Sequence, residues 1–352
     1  MKIKGFFSLL LSLSLILLLC SCGLADPRPI KTQSKQYYEY FDTVSAIYSY
    51  LGDTEEEFAA NCAVVSSVLG EYHKLFDIYY EYSGINNLRT VNRNAGKAPV
   101  KVDGKLIDFL LYAKEIYALT DGETNIAMGS VLKLWHDCRE DAFDNPSAAV
   151  IPTEAELLEA AAHTDINNLI IDEENSTVYL ADPNMRLDVG ALGKGYATER
   201  AREALVARGV TSYVLNIGGN ISAIGEKPSG EGWRTSITNP EKAEDKPYIL
   251  TVNLKDTACV TSGNYERYYT VGGIRYHHII DKDTLMPSEY FSSVTVFVND
   301  SALADALSTA LFNVSYEEGL ALINEIGGID VLWVTTEGDI YMTDGVKDIT
   351  LS

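Results

Sequence analysis

Apolar and polar positions along the chain fall into recognisable periods from about Tyr37 onward. Phe41 to Leu51 is rich in aromatic and β-branched residues and predicts a strand. Thr54 is followed three residues later by Glu57, a capping-box pattern that opens a helix. Phe58, Cys62, Val65 and Leu69 then recur on one helical face, which should be buried. Leu106 to Leu119 predicts a second amphipathic helix, stopped before Gly122, and Tyr196 to Arg208 a third, with Gly209 as its C-terminal stop. From Thr211 the period shortens to that of strands. Tyr213 to Ile217, Ile221 to Gly225 and Trp233 to Thr238 are predicted strands. Tyr268 to Val271 and Ile274 to Ile280 flank Gly272-Gly273 as a hairpin. Ser301 to Val314 reads as a helix, and Val331 to Thr335 and Ile340 to Thr343 flank a Glu-Gly-Asp turn. Antiparallel hairpins with segregated helices predict an α+β fold of antiparallel-rich mixed sheets flanked by helices, in one large domain.

The first residues follow another rule. Lys2 and Lys4 precede an apolar run from Phe6 to Leu19 and then Cys20-Ser21-Cys22-Gly23. A basic stretch before a short apolar core is a signal-peptide pattern, and the run is shorter than the roughly 20 residues of a spanning helix. Leu19 to Cys22 resembles a bacterial lipobox, which makes Cys22 the lipidated first mature residue; plain secretory cleavage and an uncleaved anchor are the alternatives. Gly23 to Gln36, with Pro27 and Pro29 and no apolar period, reads as a tether. The expected organisation is a signal peptide over 1–21, a tether over 22–36 and a domain over 37–352. The domain is thereby expected at the extracytoplasmic face of the bacterial cell membrane.

Composition narrows the partners. A formal net charge of -22 would repel phosphate backbones, which excludes nucleic acid. Hydrophobic residues make up 46%, enough for a sizeable core. The five cysteines are scattered with no zinc-site spacing and form no disulfide framework.

Several clusters can carry chemistry. Asp305 and Thr309 stand four apart, on one face of the predicted Ser301 to Val314 helix, and offer hard oxygens suited to magnesium or calcium. By itself such a pair is also an ordinary solvated face. The apolar Ala304, Leu307, Ala310 and Leu311 around it argue for burial, and a buried carboxylate needs a partner or a metal. Leu187 to Gly195 holds Asp188, three glycines and Lys194 between a strand and a helix. Such a loop can bring backbone N–H groups to a phosphate, or be a tight turn only. Asn216 to Asn220 and Thr261 to Asn264 are two further small polar turns after strands. His277 and His278 fall on opposite faces of a predicted strand, so one can face a pocket, with Asp281 near enough to orient it. His73, His136 and His163 show no such setting.

Taken in order, these blocks resemble the FAD:protein FMN transferase family, the ApbE-type flavin transferases, once described as thiamine-biosynthesis lipoproteins. The resemblance runs through Phe41-Asp42-Thr43, Asn86 to Asn92, Asn125 to Trp135, Leu187 to Ala197, Asn216 to Asn220, Thr261 to Arg267, His278 to Pro287 and Asp305 to Phe312. It implies an enzyme that cleaves FAD with Mg2+ and attaches FMN to a threonine of an acceptor flavoprotein, releasing AMP. The implied metal ligands are Asp305, Thr309 and the carbonyl of Ala191, with Ser308 adjacent. Asp188 and Lys194 are the implied dinucleotide contacts. Phe41, Tyr82, Glu123, Thr124, Asn125 and Ile279 match positions that line the FAD site, and Ser262 and His278 lie in blocks that wall it. His278 is the implied base. Asn125 stands where the family usually has aspartate, and Lys282 and Leu285 replace its usual proline and glycine before Pro287. Asp281 and Thr284 are kept, so the turn should survive. Two other readings fit the residues: a Mg2+-dependent FAD pyrophosphatase with water as acceptor, and a non-catalytic flavin-binding lipoprotein.

Overall fold

A computed structural model describes residues 32–50, 52–241 and 246–351. The signal segment, Cys22 and most of the expected tether lie outside the described residues. Among the described residues strand structure begins at Gln33, four residues before the expected start of the domain. β1 (Gln33–Tyr40) pairs antiparallel with β2 (Thr43–Ser49). Side chains from Gln33 to Gln36 are polar and do not announce a strand; the backbone ladder with β2 recruits them to the sheet edge. The predicted strand from Phe41 starts late because Phe41 and Asp42 form the two-residue hairpin turn.

The capping box forms as expected, with Glu57 N–H donating to Thr54 Oγ1 at 3.1 Å and Thr54 N–H to Glu57 Oε2 at 2.7 Å. It opens α1 (Glu55–Phe76), which buries Phe58, Cys62, Val65 and Leu69. After α2 (Leu88–Arg93) and β3 (Val100–Lys101) comes α3 (Gly104–Leu119), close to its expected bounds. Neither α4 (Gly129–Asp144) nor α5 (Glu154–Ala161) was expected. β4 (Leu169–Asp172) and β5 (Thr177–Leu180) join β3 in a small sheet ordered β3-β5-β4. α6 (Gly193–Ala207) starts three residues before its expected beginning.

The strand-rich half supplies β6 (Ser212–Ile217), β7 (Asn220–Gly225), β8 (Trp233–Thr238), β9 (Tyr248–Leu254), β10 (Ala258–Gly263), β11 (Tyr268–Val271), β12 (Ile274–His277) and β13 (Phe291–Val298). α7 (Ser301–Ala310) and α8 (Tyr316–Ile326) lead to β14 (Asp330–Thr335), β15 (Ile340–Met342) and α9 (Asp344–Ile349). Eight strands form one antiparallel sheet in the order β1-β2-β6-β7-β10-β13-β14-β15. The α+β expectation therefore holds.

Period-two alternation explains the layers. Tyr213, Leu215 and Ile217 of β6 pack with α1, α3 and α6, while Val214 between them packs on the opposite side with Trp233, Val252 and Leu254. Val331 and Trp333 of β14 pack with Leu307 and Leu311, while Leu332 and Val334 face the β8–β9 layer. Both sheet faces are thus covered, one by helices and the other by the β8–β9 hairpin and α9. Among the described residues no helix is long and apolar enough to cross a membrane.

Candidate active site

α7 is held at its start before it presents anything. Asp300 Oδ1 accepts from Ala302 N–H at 2.7 Å and Leu303 N–H at 3.0 Å, and Glu199 on α6 accepts from Ser301 N–H at 2.9 Å. One turn further, Asp305 is buried. Its Oδ2 accepts from Gly195 N–H at 2.7 Å and faces the Asn220 amide at 3.5 Å; its Oδ1 has Lys194 Nζ at 3.9 Å. Burial pushes the carboxyl pKa up, against Lys194, the Gly195 N–H and Asn220, which favour the anion.

The approach of α6 to α7 demands Gly195. A methyl group there would run into Asp305 Cβ and the Ser301 carbonyl. Gly195→Ala should therefore destabilise the fold by about 1–3 kcal/mol through overpacking. It should also slow turnover at least about tenfold by displacing the carboxylate. A thermal melt and a kcat measurement on the same sample check both.

The same contact frees a carbonyl. In a continued helix Gly195 N–H would donate to Ala191 O; here it goes to Asp305, and among the described residues no backbone N–H donates to Ala191 O. Asp305, the half-buried Thr309 one helical turn on and the Ala191 carbonyl beside Gly195 offer the kind of hard oxygen that Mg2+ takes. Among the described residues no group of three His, Cys, Asp or Glu side chains converges for a metal. A single carboxylate is compatible with Mg2+, which completes its shell from water and phosphate oxygens.

All three small polar turns meet this centre. In the first, Asp188 Oδ1 accepts from Gly190 N–H at 2.9 Å, so its carboxylate shapes the loop. Asn92 clamps the loop's start, donating to Leu187 O at 3.0 Å and accepting from Leu187 N–H at 2.8 Å. In the second, Asn216 Oδ1 accepts from Gly219 N–H at 3.0 Å, and Asn220 reaches Asp305. Gly218 there has φ 57 and lies against Thr43, so neither its backbone nor its surroundings admit a side chain. In the third, Ser262 Oγ lies 2.8 Å from Ser308 Oγ, which donates to the Asp305 carbonyl at 2.9 Å.

The two histidines divide differently from the expectation of one continuous strand. β12 ends at His277, so His278 lies beyond it. His277 is buried, donates from Nε2 to Ser288 O at 2.8 Å and accepts at Nδ1 from Ile279 N–H at 3.3 Å. Both ring nitrogens are used within the fold. His278 Nδ1 lies 3.2 Å from Arg267 O, where only an N–H can serve. The neutral ring therefore carries its proton on Nδ1 and presents the Nε2 lone pair. Partial burial, then the charges of Arg267, His277, Lys194 and Arg139, push its pKa down. Asp281 does not orient it: Asp281 Oδ1 accepts from Asp283 N–H at 2.7 Å and Thr284 N–H at 2.9 Å, capping its own turn. The orienting group is the Arg267 carbonyl. The turn survives its replacements, with Leu285 at φ 57, a conformation that favours the family's usual glycine.

Other expected site residues brace the surroundings. Thr124 is buried and donates to Ala306 O on α7 at 2.8 Å. Asn125 donates to Thr164 O at 3.0 Å and accepts from Ala127 N–H at 2.8 Å, which occupies both ends of its amide. Glu123 pairs with Lys282 at 3.2 Å, where the family usually has proline. Ile279 packs in the α7–α8 core. Phe41 and Tyr82 meet through His73, which accepts from Phe41 N–H at Nδ1. Tyr82 and His73 also line a cavity of about 900 Å3 with Tyr40, Lys74 and Lys101. None of the residues around Asp305 lines it.

Reading along the chain missed three groups. His73 sits in a last helical turn and gains its partners only by packing. His163 is in fact paired, with Asp182 Oδ2 2.7 Å from its Nδ1. Arg267 and Arg139 bring positive charge to His278 and to Tyr79, as does Lys194 to His278, in an otherwise acidic protein. No local pattern marks those arginines, because their neighbours come from other elements.

Residues 41–333 match the ApbE family model. An FAD:protein FMN transferase of Treponema pallidum is 34% identical over 275 residues, 74% of this chain and 74% of its own. One of Klebsiella pneumoniae is 33% identical over 254 residues, 72% of this chain and 76% of its own. The crystal structure of the ApbE protein of Thermotoga maritima superposes with a TM-score of 0.79 at 27% identity, covering 92% of this chain and 100% of that one. With the family model matched over residues 41–333 and a relative 34% identical over 74% of both chains, this protein belongs to the ApbE family.

Proposed function

We propose that this chain is a Mg2+-dependent FAD:protein FMN transferase. The observation that carries the reading is the buried Asp305 carboxylate on which Lys194, Gly195 N–H and Asn220 converge, with the Lys194 charge also acting on His278. Asp305, Thr309 and the Ala191 carbonyl would hold Mg2+, which neutralises diphosphate charge and makes the phosphorus a better electrophile. Lys194, Arg267 and Arg139 supply fixed positive charge for an anionic substrate that an acidic protein would otherwise repel. The threonine hydroxyl of the acceptor flavoprotein attacks the FMN phosphorus. The bond from that phosphorus to the bridging oxygen breaks, AMP leaves with the bonding pair, and His278 Nε2 takes the hydroxyl proton.

The test is a mass spectrum of a threonine-motif acceptor domain incubated with the full chain, FAD and Mg2+, beside an EDTA control. A metal-dependent gain of one FMN with AMP formed is the expected result. AMP and free FMN without that gain would mean water is the acceptor, and no AMP would overturn the enzymatic reading.

The anchor is part of the same proposal. Ten residues, Gly23 to Thr32, separate Cys22 from β1. Fully extended they reach at most about 35 Å, which would keep the site near membrane-borne acceptors on the extracytoplasmic face. Cys22→Ser should move the protein from the membrane pellet to the soluble fraction; retention in the pellet would sink the lipidation assignment.

A further inference from the structure

The β1–β2 turn is made in an unfavourable way. Phe41 and Asp42 both have positive φ, 56 and 50. Two-residue hairpin turns of this kind select Asn-Gly or similar pairs, and a bulky residue in the left-handed region is strained. Strain of this kind persists only where the surroundings over-determine it. The surroundings here are His73. Its Nδ1 accepts the Phe41 N–H at 3.2 Å, and its ring meets the Phe41 ring edge-on at 5.6 Å between centroids.

That one hydrogen bond sets the direction of the others. With Nδ1 accepting, the neutral imidazole carries its proton on Nε2, which faces Tyr82 Oη at 3.4 Å. Tyr82 Oη–H then donates to Asp77 Oδ2 at 2.7 Å. Asp77 cannot swing away, because its Oδ1 accepts from Tyr79 N–H at 2.6 Å and Tyr80 N–H at 2.9 Å. Every donor in the chain Phe41, His73, Tyr82, Asp77 points the same way. Two residues 41 positions apart, each matching a position that lines the FAD site, are locked by one side chain that touches both.

We infer that His73 is a positioning residue for FAD: it holds the strained Phe41 and the Tyr82 phenol as one rigid aromatic wall against a ring system of the dinucleotide. Thr43, which follows the turn it holds, lies against Gly218, two residues from the Asn220 that reaches Asp305, so the turn and the Asp305 centre share the Asn216–Asn220 loop. This inference rests on the proposed FAD site.

The experiment compares wild type, His73→Ala and His73→Asn in the full chain, with folding checked by thermal melt. FAD binding is read from flavin fluorescence, turnover from AMP release, and the diphosphate centre from inhibition by inorganic pyrophosphate, which has neither ring. His73→Ala should raise the KM and Kd for FAD about tenfold, with a smaller change in kcat and pyrophosphate inhibition within about twofold of wild type. His73→Asn, whose amide oxygen can take the place of Nδ1, should recover most of the loss. Adding Tyr82→Phe to His73→Ala should cost little more, since the two act as one unit. Unchanged FAD affinity in His73→Ala, or equal weakening of FAD and pyrophosphate, would overturn the inference. A wild type that binds pyrophosphate but not FAD would instead overturn the functional proposal on which it rests.

Discussion

Asp305→Ala is expected to lower kcat/KM for FAD-dependent AMP release by a factor of about 10^3 or more, the scale of removing the principal electrostatic stabiliser of a transferring phosphoryl group. Asp305 is the one carboxylate in the proposed metal set, and Gly195 N–H, Asn220 and Lys194 all converge on it. Asp305→Asn separates charge from shape. Its amide oxygen can still accept the Gly195 N–H, so the α6–α7 contact should persist, while the charge that attracts a divalent cation is gone. Burial already pushes the Asp305 pKa up, meaning that the fold disfavours the anion. The melting temperature of Asp305→Asn should therefore equal or exceed that of wild type even as activity is lost, as happens where a site is kept at the expense of stability. AMP release at the wild-type rate from either variant would sink the metal assignment.

His278→Ala is expected to lower kcat by about 10^2 to 10^4, the range for a positioned general base, with FAD affinity little changed. The neighbouring histidine is the control. His277 uses Nε2 on Ser288 O and Nδ1 on Ile279 N–H inside the core, so His277→Ala should cost about 1–3 kcal/mol of stability by leaving buried groups unpaired, and spare kcat in the folded fraction. Chemical denaturation and transfer rates on the two variants separate the roles. An unchanged transfer rate in His278→Ala would remove it as the base.

Much of the fold was legible because its signals are local. The Thr54 capping box and the stripe after it define α1 within a few residues of sequence, and Gly272-Gly273 marks its hairpin. The elements that were missed lack local signals. Seven of the eight residues of β13 are buried, because both faces of the sheet are covered, and a nearly continuous buried run carries no alternation to read. α4 has no side-chain N-cap bond, and Met128 at its N-cap and the Val131 and Trp135 that it buries pack with Ile280 and Leu285, far along the chain. β1 is polar at its start and is a strand only because β2 pairs with it.

The candidate site divides along the same line. Residue types at short spacing were enough to mark the oxygen pair on one helical face, the three small polar turns and the family they resemble, while alternation left His277 and His278 open and only the resemblance preferred His278. It took the packing of distant elements to show that Gly195 N–H, 110 residues away, meets Asp305, and that this frees Ala191 O. The fold also shows that Asp281 caps its own turn, that Asn125 braces a loop with both ends of its amide, and that His73 joins Phe41 to Tyr82. The reason is physical: a spacing of three or four residues constrains a helix face or a turn, but which turns approach one carboxylate depends on strand order and on how closely α6 can lie against α7, and those are set by packing across the whole sheet.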